Sequence, residues 1–157
     1  MRRQLHLLVL LLSLTSSSFA RTSFDDMYHG IRYKEDYVSF TLPAWSLNWI
    51  LKDDEQVKEA FAGLNRVRFI VSERHDQALH NALNAFLHNP DYTTLMEIKE
   101  GKSKIVFKVR DTPKCIREIV MIVRDGNDIV AINMKGRFKT EDLQPLIELA
   151  RDNIVYY

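Results

Sequence analysis

From Tyr92 to Gly136 the apolar residues of this chain recur every second position rather than every three or four, which is the spacing of a β-strand pleat. Four such runs lie near residues 93–99, 104–110, 116–124 and 128–135. They are separated by Glu100-Gly101-Lys102, Asp111-Thr112-Pro113 and Asp125-Gly126-Asn127. Connections this short join only antiparallel neighbours, because a parallel crossover needs a dozen residues or more. The segment therefore predicts a four-stranded antiparallel meander, with Asp125-Gly126 the strongest hairpin signal.

Upstream the chain alternates between strand and helix patterns. Tyr37 to Leu42 places Val38, Phe40 and Leu42 on one side of a half-buried strand. Pro43 suits the first turn of a helix carrying Trp45 and Trp49, four apart on one face. Val57, Ala60, Phe61 and Leu64 continue an amphipathic pattern after Asp53-Asp54-Glu55. Val67 to Val71 reads as a second strand, and Ser72 as the N-cap of a helix from Glu73 to His88. That helix buries Leu79, Leu83, Phe86 and Leu87. Phe24 to Tyr28 forms one helical turn closed by Gly30. A last helix follows Thr140 with Leu143, Leu146, Ile147 and Ala150 on its apolar face, its first turn made irregular by Pro145 or its start moved to Asp142. The order is βα, βα, four-stranded antiparallel meander, C-terminal helix. The expected fold is α+β, a mixed or antiparallel sheet with helices packed on one face.

The N-terminus has a separate logic. Arg2 and Arg3 precede the apolar run Leu7 to Leu14, and Ser18 and Ala20 supply small residues before Arg21. This is the three-part pattern of a cleaved signal peptide, residues 1–20, with the cut between Ala20 and Arg21. The apolar run, about eight residues, is too short for a membrane span, and no transmembrane anchor is expected. Cleavage takes 20 of 157 residues and leaves a single α+β domain, 21–157. The expected location is periplasmic or extracellular. Losing Arg2 and Arg3 turns a formal net charge of +1 into −1, which supplies no field for nucleic acid. Cys115 is the only cysteine, so no internal disulfide is expected.

The alternation sorts the strands into two faces. Ile105, Phe107 and Val109, with Ile119, Met121, Val123, Val130, Ile132 and Met134, are expected to face the core under the helices. Val106, Lys108, Arg110, Glu118, Val120, Ile122 and Ile129 lie on the other side. That second face mixes charge with more apolar side chains than a solvated surface needs, and forms a candidate partner surface.

Catalytic chemistry is sparsely signalled. Asp76 and His80 are four apart on the predicted helix, with Glu73 and His75 nearby, and are the only dense group of metal-ligating types. A solvated helix surface is the simpler reading, and neither a cofactor nor a metal is expected. No Gly-x-Ser-x-Gly elbow is present, and the five glycines make no phosphate loop. Trp45 and Trp49 are expected to pack in the core, with an aromatic platform for a glycan or small ligand as the alternative.

The runs Phe24 to Tyr28, Val38 to Thr41, Val67 to Ser72, Leu95 to Gly101 and Ile129 to Gly136 resemble the family called domain of unknown function 4252. Its members are small exported bacterial proteins, found especially in Bacteroidetes. The resemblance extends from about Phe24 to Ala150 and implies an envelope protein without known activity, associated with extracytoplasmic signalling. The family has no catalytic motif to transfer, so no residue inherits a role. The expected function is a non-catalytic envelope interaction module with an unidentified protein partner. The alternatives are a metal-assisted hydrolase using Glu73, Asp76 and His80, and a small-ligand binder using Trp45 and Trp49.

Overall fold

Two glycine turns shape the sheet. Gly101 and Gly126 have φ of +58° and +59° in a computed structural model that describes residues 22–31, 37–46, 55–74, 76–145 and 147–148. Glu100 pairs with Ser103 and Asp125 with Asp128, so each loop has two residues, with glycine at the first and no positive φ at Lys102 or Asn127. That is the pattern of a type II′ turn, whose twist matches the flanking strands. The expected meander is present as β3 (Thr93–Glu100), β4 (Ser103–Thr112), β5 (Cys115–Asp125) and β6 (Asp128–Phe138).

Ahead of it come α1 (Phe24–Ile31), β1 (Val38–Pro43), α2 (Glu55–Ala60), β2 (Leu64–Ser72) and α3 (Gln77–Leu87). The strand order is β1-β2-β6-β5-β4-β3, and every neighbouring pair is antiparallel. The α+β expectation holds with a wholly antiparallel sheet of six strands. The link through α3 carries the chain from β2 to the far edge, and β6 returns to fill the gap.

Several boundaries move. Pro43 ends β1, and a helical turn follows at 44–46. Ser72 ends β2 and its hydroxyl donates to the Arg74 carbonyl; Asp76 is the N-cap of α3, accepting the Leu79 N–H at 2.8 Å. Leu64 opens β2 rather than extending a helix. Thr140–Asp142 is a 3-10 turn, the irregular start that Pro145 suggested. Residues 1–20, Trp49, His75, Leu146 and Ala150 lie outside the described residues.

Helices cover both faces of the sheet, not one. α1 and α3 pack Phe24, Met27, Leu79, Leu83 and Phe86 against Ile70, Val120, Ile122, Ile129 and Ala131. α2 and the segment from Leu143 pack against the opposite face at one end, where Ala60 and Leu143 meet Val67, Ile119, Met134 and Phe138. The residues expected beneath the helices are therefore on the less covered side. Ile105, Phe107, Val109, Ile119 and Met134 are buried there, while Met121, Val123, Val130 and Ile132 are half-buried. The candidate partner surface is the face under α1 and α3. Val106, Lys108, Glu118, Val120, Ile122 and Ile129 are all buried, and Arg110 alone of that set is exposed. Alternation shows that two faces exist; it does not show which one a helix chooses when both carry apolar side chains.

Candidate functional site

The face beneath α1 carries a row of charges. Arg66 pairs with Lys135, Lys135 with Glu118 and Glu118 with Arg110, so four adjacent strands place these residues side by side. One step along, Arg68, Asn133, Val120 and Lys108 form the next row. α1 holds Asp25 over this region because Phe24, Met27, Tyr28 and Ile31 are buried on its inner side.

The Asp25 carboxylate meets three cations. Arg68 donates to Oδ1, Lys135 donates to Oδ2, and a terminal nitrogen of Arg66 lies 3.8 Å from Oδ1. Partial burial works to raise its pKa, but the Lys135 hydrogen bond and the charges of Lys135, Arg68 and Arg66 hold it below the usual carboxylate value. The Arg68 guanidinium also lies 4.6 Å from the centre of the Tyr28 ring.

Glu118 is 0% exposed. One oxygen accepts from Tyr92 at 3.0 Å and forms an ion pair with Arg110 at 2.9 Å; the other accepts from Asn133 at 2.6 Å, with Lys135 4.0 Å away. Burial, then the Glu118 charge, pushes the Tyr92 phenol well above its ordinary value, so it stays protonated and donates. Lys108 is buried and has no carboxylate partner among the described residues. It donates to the Leu87 carbonyl at 2.7 Å and to Thr94 at 3.2 Å, and burial lowers its pKa. The Leu87 contact places a cation on the C-terminal carbonyls of α3, where the helix dipole favours positive charge.

A carboxylate engaged on both oxygens is a structural anchor, and Glu118 ties β4, β5 and β6 to the residue that precedes β3. The cluster as a whole is different, because it contains Arg66, Arg68, Lys135 and Arg110 against Asp25 and Glu118. Its edge reaches solvent through Arg66, Lys135 and Arg110. Two observations mark spare capacity. The Arg66 side chain makes no hydrogen bond among the described residues, and the buried Nε atoms of Arg66 and Arg68 are without acceptors.

The other sequence-predicted groups do not converge. Asp76 is occupied as a helix cap, Glu73 is exposed on the connection before it, and His80 sits in the first turn of α3. No group of three or more metal-ligating side chains occurs among the described residues. Trp45 is 68% exposed on the helical turn after β1, not packed in the core. Cys115 is half-buried at the β4–β5 turn, beside the Thr112 hydroxyl. No described helix is long and apolar enough to cross a membrane.

A family model described as domain of unknown function (DUF4252) matches residues 28–146. The chain belongs to the DUF4252 family. The matched stretch contains all six described strands of this DUF4252 protein. No curated protein matches it.

The two sheet edges of the DUF4252 protein are built differently. β3 carries Glu97, Lys99 and Glu100 and a bulge between Thr94 and Met96, features that discourage another strand from pairing. β1, Val38-Ser39-Phe40-Thr41-Leu42-Pro43, has no charge and no bulge. Val38 and Phe40, 62% and 39% exposed, stand on the same side of it, and Phe40 stacks on Phe69 with ring centres 4.6 Å apart. No strand lies on its outer side among the described residues.

Proposed function

We propose that this DUF4252 protein is an exported, non-catalytic interaction module of the cell envelope that receives an extended, uncharged segment of a partner protein along β1. The observation that carries the reading is the contrast between a β1 without charge or bulge and a charged, bulged β3 in one sheet. An added strand would take up main-chain hydrogen bonds, and its alternate apolar side chains would extend the surface begun by Val38 and Phe40. Export rests on the leader pattern of residues 1–20, and places the partner in the periplasm or outside the cell.

The test places a photo-crosslinking residue at Phe40 or, as control, at Leu95 on β3 in the full chain expressed in its host. Crosslinks from position 40 to one uncharged extended segment of an envelope protein, absent from position 95 and abolished by Ser39→Pro, are expected. Equal crosslinking from both edges overturns the reading, and crosslinks only to a second copy replace the partner with self-association. N-terminal sequencing of the same sample should begin at Arg21. Recovery in the cytosol with Met1 intact would remove the envelope from the proposal.

A further inference from the structure

We propose that the mouth of the charged cluster, formed by Arg66, Arg68 and Lys135 with Arg110 alongside, binds a dianionic phosphate group. All six charged residues belong to one chain of contacts: Arg66, Arg68 and Lys135 around Asp25, then Lys135 and Arg110 around Glu118. Among the described residues four cations of this cluster face two carboxylates, an excess of two positive charges in a partly dehydrated setting. A phosphate group, carrying about −1.5 to −2 at neutral pH, matches that excess, whereas a single carboxylate answers only half of it. Guanidinium forks also suit phosphate oxygens. Arg66 has the free donors, with its side chain 36% exposed, its Nε buried without an acceptor and its nearest carboxylate oxygen 3.8 Å away. The Arg68 side chain is nine-tenths buried and its Nε is likewise without an acceptor. Asp25 already occupies one flank of the cradle, so it acts as an internal competitor for the same donors.

Thermal melts and calorimetric titration of the full chain at pH 7 test this, using inorganic phosphate and glycerol phosphate against chloride at equal ionic strength. A saturable rise in melting temperature with inorganic phosphate, absent with chloride, is expected. Arg66→Gln should fold normally and bind about fivefold more weakly or worse, since the Arg66 side chain makes no hydrogen bond to the described residues that folding would miss. Asp25→Asn should melt lower without phosphate yet bind it more tightly, an opposition that a purely structural network does not produce. Glycerol phosphate binding as well as the inorganic ion assigns the site to phosphate monoesters, and exclusion of the ester restricts it to the free ion. An unsaturable response, or equal affinity in the wild type and Arg66→Gln, overturns the proposal; should Asp25→Asn not fold, the Arg66 variant decides alone.

Discussion

Asp25 ties the stability of the molecule to pH. Its carboxyl is held below the ordinary value of 3.8 by Lys135, Arg68 and Arg66, despite partial burial. A carboxyl whose folded pKa is depressed adds stability that is fully present above the unfolded value and lost as pH falls through the folded one. The wild type should therefore lose stability as pH drops below about 4, and Asp25→Asn should be less stable at pH 7 but show a shallower acid slope. Urea melts from pH 2.5 to 7 measure both; parallel slopes would show that Asp25 is not the group responsible. Neither half-buried Asp25 nor fully buried Glu118 was legible as an ionic centre. Charged side chains on strands suggest solvent, and burial of a charge is tolerated only when partners arrive to pair it. For Asp25 the partner Lys135 lies 110 residues away, on a strand whose neighbour no local pattern names.

At the scale of the elements, the decisive pairing is β2 with β6. The two strands approach closely where the chain enters β2. A methyl added at Gly136 would lie 2.3 Å from the Gly63 carbonyl oxygen, and the Arg137 N–H donates to that same oxygen at 2.8 Å. Gly136→Ala must push β2 aside and should cost about 2–3 kcal/mol. Gly30→Ala in α1, where the methyl meets nothing within 4 Å, should not destabilise. Urea denaturation of the two variants checks the contrast. The hairpins were readable because a glycine needed for positive φ announces its turn locally. The start of α3 was not, because Ser72 and Asp76 are both good caps and only Asp76 points its oxygen at a free N–H.

Across the whole molecule, cover is uneven. β5 and β6 lie at the centre, helices reach both of their faces, and both sides of their backbone are paired. Among the described residues β1 pairs with β2 alone, and it exposes Val38 and Phe40. Amide hydrogen exchange should be slowest in β5 and β6 and clearly faster in β1. A partner segment bound on β1 should slow that strand selectively. Uniform exchange over all six strands would contradict this ordering.

The sequence by itself determined the α+β class, the meander from Thr93 to Phe138, its turns and the apolar side of α3. These depend on periodicity and turn chemistry, which neighbouring residues settle among themselves. Only the tertiary structure decided that β6 returns to β2, that α1 and α3 lie over the charged face, and that β1, among the described residues, pairs with β2 alone. Those outcomes are competitions between surfaces distant in sequence, and the chain settles them when Asp25 reaches its cations and Glu118 its four partners.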